Sequence, residues 1–297
     1  MSRTVATAAT VATVALLASA ALPGALAWGA MGHETIAYIA SNFVSSDTES
    51  YFQGLLGDSS DDYLASVAAW ADTYRYTTEG KFSAPYHFID ANDNPPSSCS
   101  VDFDRDCGAE GCVVSAIQNY TTILLDGRYS DAHHQLAAKM IIHFVGDIGQ
   151  PLHCENLDVG GNSIGVEYDG KSTNLHAIWD TQIPESISGG STLASAKSWA
   201  ATLTTEIKSG DFKSLAADWV SGLSVATADD RKTTALEWAT EANADVCTTV
   251  LVGGISSVKG QELSGDYTTS ATPIVELQIA KQGYRLGAFL DAIVAAM

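Results

Sequence analysis

Two His/Asp pairs at helical spacing carry the strongest chemical signal in the sequence. In His143-Phe144-Val145-Gly146-Asp147-Ile148-Gly149-Gln150-Pro151-Leu152-His153, residues His143 and Asp147 are i and i+4. On a helix their side chains share one face. Pro151 ends that helix, and His153 follows on the exit turn. The pattern returns at His176 and Asp180, within Asn174-Leu175-His176-Ala177-Ile178-Trp179-Asp180. Imidazole and carboxylate on one face suit a borderline cation such as Zn²⁺. A single pair of this kind is more often an ordinary surface pair; two pairs plus His153 weaken that reading. Upstream, Asp72 in Trp70-Ala71-Asp72 puts a carboxylate on an apolar helix face. His87 sits in the apolar run Tyr86-His87-Phe88-Ile89-Asp90, where alone it would read equally well as a satisfied core histidine. With His33, five of the seven histidines lie in metal-compatible settings. The adjacent His133-His134 reads as a solvated loop pair.

The elements that must position these groups are mostly helices. Glu34 to Val44 carries Ile36, Ala37, Ile39, Ala40 and Phe43 at 3,4 spacing. Similar periods run over Leu64–Tyr74, Ser115–Leu125, Gln135–Ile148, Thr173–Thr181, Ser195–Lys208, Thr233–Val250 and Pro273–Ala296, the last with Pro273 near its start. Between Gly160 and Gly170, Ile164, Val166 and Tyr168 alternate as in a short β-hairpin. Ala91 to Gly111 is the longest irregular stretch and reads as one bridged loop. There is no internal repeat and no low-complexity linker. The expected fold is all-α, a single mostly helical domain with one small hairpin.

The chain has 297 residues, and 46% of them are hydrophobic, enough for a sizeable core. Lys and Arg number 15 against 35 acids, for a formal net charge of −20. That excludes a nucleic-acid binder that works through a broad basic patch. Residues 1–27 read as a signal peptide: Arg3, an uncharged stretch from Val5 to Leu22, then Ala25-Leu26-Ala27 before Trp28. Nothing later spans a bilayer. The expected mature domain is 28–297, secreted, with no membrane after cleavage. It is expected to be monomeric, with no obligate protein partner. In an oxidising compartment Cys99, Cys107, Cys112 and Cys247 can form two bridges. A local Cys107–Cys112 staple would leave Cys99 and Cys247 for a long-range one, although sequence alone leaves the pairing open. Cys154 is the odd thiol. Asn119-Tyr120-Thr121 is an N-glycosylation sequon.

Together, Trp28-Gly29, Gly32-His33-Glu34, Trp70-Ala71-Asp72, His87-Phe88-Ile89-Asp90, the run His143–His153, Asn174-Leu175-His176 and Trp179-Asp180 form one ordered set. This set closely resembles the secreted zinc-dependent nucleases of fungi and plants, the S1/P1 nuclease family, and most of all its filamentous-fungal members. The likeness extends to Gly283-Tyr284-Arg285-Leu286. It implies an all-α fold similar also to zinc-dependent phospholipase C, with three Zn²⁺. Carried over by position, one zinc is held by Asp72, His87, His143 and Asp147. A second shares Asp147 and takes His33 and the Trp28 terminus. The third is held by His153, His176 and Asp180. A free α-amine and its own carbonyl can chelate a metal, whereas the amide nitrogen of an unprocessed chain cannot.

The activity so implied is metal-assisted hydrolysis of single-stranded DNA and RNA to 5′-phosphate products, with 3′-nucleotides also cleaved. Asp72 would orient the nucleophile, and Arg75 and Asn162 would donate to the phosphate. Phe88 and Val159 would sandwich a base, and Asp90 would read its edge. Cys154 departs from the family pattern, which has Asp there; a thiol could alter the His153 site, compete for metal, or be a small buried residue with no role. The alternatives are a secreted zinc-dependent phospholipase C and a non-enzymatic zinc scavenger.

Overall fold

The computed structural model describes residues 28–297. The expected signal peptide, 1–27, lies outside the described residues. The fold is mostly helical, and a single two-stranded antiparallel hairpin is the only sheet among the described residues.

The helix Ala30–Ser41 is buried along most of its length and runs through the middle of the packing. It lies against the long Asp266–Ala295 helix and against Leu193–Ser209. The approach is close: a Cβ on Gly283 would sit 2.5 Å from Cβ of Ile39. A helix apolar on all sides belongs inside a protein. The second half of Asp131–Asp147 has that character, since every residue from Met140 to Asp147 is buried. Val113–Leu125 packs on it and on Ala228–Asp245. The ends follow local chemistry. Thr227 and Asp230 form a reciprocal capping box at the start of Ala228–Asp245. Gly57 and Gly189 close Ser46–Leu56 and Ile183–Ser188 in the left-handed conformation.

Four sequence expectations need correction. Leu64–Tyr74 is not one helix but two short ones, Ala65–Ala68 and Trp70–Tyr74, broken at Ala69. The break leaves the Ala68 carbonyl free to accept from His143 Nδ1 at 2.7 Å. Thr173–Thr181 is not helical throughout. Lys171–Asn174 is the second hairpin strand, paired with Gly165–Tyr168 around Asp169-Gly170, both at positive φ. Asn174 then caps Leu175–Ala177, and Ile178–Gln182 widens into a π-helical turn. The C-terminal helix starts at Asp266, so Pro273 lies inside it. The carbonyl that Pro273 cannot satisfy is that of Thr269, which is exposed to water. His133 and His134 occupy the first turn of Asp131–Asp147 rather than a loop, away from the other histidines.

The Ala91–Gly111 stretch contains one short helix, Phe103–Asp106, and is fastened by two disulfides, Cys99–Cys247 and Cys107–Cys112. The first closes a separation of 148 residues and ties this loop to the end of Ala228–Asp245. Asp158, Val159, Gly160 and Gly161 are four consecutive residues at positive φ, between 49° and 78°. Val159 is the costly member, because a β-branched side chain is crowded there.

Val159→Gly should therefore stabilise the fold. Relief of about 1–2 kcal/mol of left-handed strain exceeds the roughly 0.4–1 kcal/mol of added unfolded-state entropy. Thermal unfolding at fixed metal load is expected to shift upward by about 1–3 °C. A fall in Tm would show that the Val159 side chain contributes more than its backbone costs.

Candidate metal centre

The break at Ala69, the buried end of Asp131–Asp147 and the turn Lys81–His87 bring four side chains together. His87 Nδ1 lies 3.0 Å from Asp147 Oδ2, and His143 Nε2 lies 3.1 Å from the same oxygen. His87 Nδ1 and His143 Nε2 face each other at 3.0 Å. Asp72 Oδ1 is 3.7 Å from His143 Nε2 and 3.9 Å from His87 Nδ1. On the other side of Asp147, His33 Nε2 lies 3.1 Å from Oδ1, with its ring stacked on His143. All five residues are buried.

A second group forms where the turn Pro151–Cys154 meets the residues after the hairpin. His176 Nε2 is 3.1 Å from Asp180 Oδ2 and 3.2 Å from His153 Nε2. His153 Nδ1 approaches Asp147 Oδ1 at 3.9 Å, so the two groups adjoin. Donor atoms around a tetrahedral zinc, with bonds of about 2.0–2.1 Å, are about 3.3 Å apart. The separations in both groups cluster around that value.

Backbone carbonyls fix the histidine tautomers. A carbonyl can only accept, so His143, His153 and His176 each donate through Nδ1, to Ala68, His87 and Gly160 at 2.7, 2.8 and 2.6 Å. Nε2 is then the nitrogen that each ring turns toward its cluster, and it supplies a lone pair once it carries no proton. Several inward atoms make no well-aligned hydrogen bond in the protein: both oxygens of Asp72, Asp147 Oδ1, Asp180 Oδ2 and both nitrogens of His33. Buried groups of this kind are costly unless a cation meets them. The residues therefore fit a metal centre, and three triads have converging donors: His33/Asp72/His143, His87/His143/Asp147 and His153/His176/Asp180.

Protonation differs across the centre. Burial lowers His33 to about 4 and His87 to about 3, so both are neutral near pH 7. Burial would lower His143 too, but Asp147 and Asp72 outweigh it and raise it to about 9. Burial pushes Asp72 up to about 7. Asp147 is held well below the usual carboxylate range, because its histidine partners outweigh its burial.

The other expected residues are placed as follows. Trp28 is fully buried, and the Gly29 N–H donates to the Asp180 carbonyl at 2.7 Å, tying the chain start to the second group. Arg75 follows the Asp72 helix, its guanidinium bonded to the Tyr76 hydroxyl at 3.1 Å, and its charge acts on Asp72, His87 and His176. Phe88 and Asp90 line one cleft of about 150 Å³ with Pro85, Gly108 and Gly111. Burial, and then Asp106, raise the Asp90 carboxyl. Val159 is outside the residues lining that cleft and projects into solvent, 66% exposed. The Asn162 amide donates to the Val159 carbonyl at 2.9 Å, so part of its donor capacity is spent on its own turn. Cys154 is fully buried, its thiol aimed at the Ile148 carbonyl and pushed up by burial. It is a neutral thiol and belongs to none of the three His/Asp triads. Asn119 is exposed on its helix, while Thr121 is buried and bonded to the Ile117 carbonyl. Sequence reasoning missed Gln150, which is fully buried and donates to Asp180 Oδ1 at 2.6 Å. Its only signal was a polar residue before Pro151.

Because His143 holds a proton below about 9 in the metal-free protein, zinc must displace it. Zinc binding at pH 7 is expected to release protons, and the release should fall as pH rises through 9. Calorimetry in buffers of different ionisation enthalpy measures this. Release independent of pH between 7 and 10 would contradict the assignment.

Comparison with known proteins agrees with this geometry. The family model described as S1/P1 Nuclease matches residues 28–295. Nuclease S1 of Aspergillus oryzae is 54% identical over 267 residues, covering 90% of this chain and 91% of that protein. Nuclease P1 of Penicillium citrinum is 48% identical over 266 residues, covering 90% and 97%. Endonuclease 4 of Arabidopsis thaliana is 32% identical over 283 residues, covering 91% and 90%. A match over nearly the whole described chain, with both buried His/Asp groups inside it, means that the chain belongs to the S1/P1 nuclease family.

Proposed function

We propose that this chain is a secreted, single-strand-specific endonuclease. It hydrolyses phosphodiester bonds of DNA and RNA to 5′-phosphate products and also acts as a 3′-nucleotidase. The observation that carries the reading is the pair of adjoining buried His/Asp groups with converging, unpartnered donors. Asp72, His87, His143 and Asp147 would hold one zinc. Asp147, His33 and the Trp28 terminus would hold a second, and His153, His176 and Asp180 a third. When bound, zinc supplies Lewis acidity, lowering the pKa of water and offsetting charge on a phosphodiester.

The protein's own groups do the rest. Asp72, buried and without a hydrogen-bond partner for either oxygen, accepts a proton from the attacking water and orients it. Arg75 presents a fork of donors to the phosphate, and Asn162 supplies an uncharged one. Phe88 offers a ring face to a base and Asp90 accepts from the base edge, while Val159, which lies outside the Phe88 cleft, would meet the opposite face of the base from the solvent side. A base in a duplex has no free face to offer, which accounts for single-strand preference. Secretion, with removal of residues 1–27 to leave one domain over 28–297, is supported by the two disulfides, which persist in oxidising compartments. A glycan on Asn119 suits its exposed position.

Protein beginning at Trp28 should contain three zinc ions by elemental analysis. It should cleave single-stranded DNA and RNA much faster than duplex, and leave phosphatidylcholine intact. Metal-replete protein with no phosphodiesterase or 3′-nucleotidase activity would point to a scavenger, and hydrolysis of phosphatidylcholine to a phospholipase.

One extra serine before Trp28 converts the α-amine to an amide. The extended protein is expected to retain two zinc ions and lose most of its turnover. Three ions and full turnover would remove Trp28 from the ligand set.

A further inference from the structure

Behind the His153/His176/Asp180 group lies a side chain that is not one of the expected ligands. Gln150 is fully buried, and both ends of its amide are used. Oε1 accepts from the Leu152 N–H at 2.6 Å, which caps the turn Pro151–Cys154 carrying His153. Nε2 donates to Asp180 Oδ1 at 2.6 Å. Its backbone N–H donates to the Asp147 carbonyl at 3.0 Å, anchoring it to the end of the helix that supplies His143 and Asp147. One residue therefore links the turn of one ligand, the carboxylate of another and the helix of the first group.

The consequence is clearest at Asp180. With Oδ1 engaged by the amide, only Oδ2 is left without a hydrogen-bond partner, and it is the oxygen 3.1 Å from His176 Nε2. The amide donor is neutral. A lysine there would repel a cation, and a glutamate would set a like charge against Asp180. We propose that Gln150 is a positioning residue for this site: it fixes Asp180 so that a single oxygen, Oδ2, is offered to the zinc shared with His153 and His176. The inference rests on the zinc reading of that triad.

Two substitutions separate positioning from simple capping. Gln150→Glu keeps an acceptor for the Leu152 N–H but cannot donate to Asp180 when ionised. Gln150→Met keeps the length and loses both bonds. Protein beginning at Trp28 is titrated with a competing chelator, and retained zinc is counted by elemental analysis. The same titration is run in a His176→Ala background, which lacks a ligand of this site. Tm is measured for each metal-free form.

In both Gln150 variants one zinc of three should leave at about 10–100-fold lower chelator strength, with the other two unmoved. In the His176→Ala background, Gln150→Met should have no further effect on the remaining ions. Gln150→Glu retaining zinc like the parent, with only Gln150→Met lowering the metal-free Tm, would reduce Gln150 to a cap and overturn the proposal. Equal loss from all three sites would overturn it too. If His176→Ala binds as many ions as the parent, the zinc reading of the triad fails, and this inference with it.

Discussion

Charge removed from water is the constraint around which this molecule is arranged. Asp72, Asp147 and Asp180 are carboxylates with almost no solvent contact, packed among five buried imidazoles. Isolated, each would be too costly to keep ionised in an apolar interior. The fold answers in two layers. Imidazole nitrogens face the carboxylates directly, and backbone carbonyls of Ala68, His87 and Gly160 hold the far side of three rings. Those carbonyls are available only because the chain departs from regular structure beside them. The helix is interrupted at Ala69, an extended segment follows His87, and the backbone turns left-handed at Gly160. Irregular backbone here is part of the support for the centre.

The ligands were readable because helical spacing and residue type coincide. His143 with Asp147 and His176 with Asp180 are one turn apart, and the residues between them are apolar enough to bury the pair. The helical fold class was legible for the same reason. Less legible was everything fixed by long-range contact. No local pattern marks Ala69 as a break, since its neighbours are good helix formers. The second hairpin strand, Lys171–Asn174, has a polar face and reads as the lead-in to a helix. Pro273 suggested a helix start, but the helix passes through it with the unpaired carbonyl falling at Thr269, an exposed residue. Gln150 was invisible because its meaning lies in Asp180, thirty residues away. Val159 likewise carries no local sign of its positive φ.

The net charge of −20 argues against a protein that grips nucleic acid through a basic surface. It is compatible with a nuclease whose positive charge is held inside as metal. An acidic exterior disfavours tight non-specific binding of polyanions and favours solubility. On the proposed reading, productive contact would be confined to Arg75, Phe88, Asp90 and the centre itself.

The donors of the centre are drawn from segments scattered between residues 33 and 180, and the helices that pack them in place reach residue 295. No subset of the chain holds the cation set by itself. Cation binding and global folding are consequently one linked equilibrium, in which free metal adds RT ln(1 + [M]/Kd) to native stability. With metal bound as proposed, the same polypeptide would be a more resistant molecule in a metal-rich medium than in a metal-poor one. Its lifetime among proteases would track the metal activity of its surroundings, with no change in sequence.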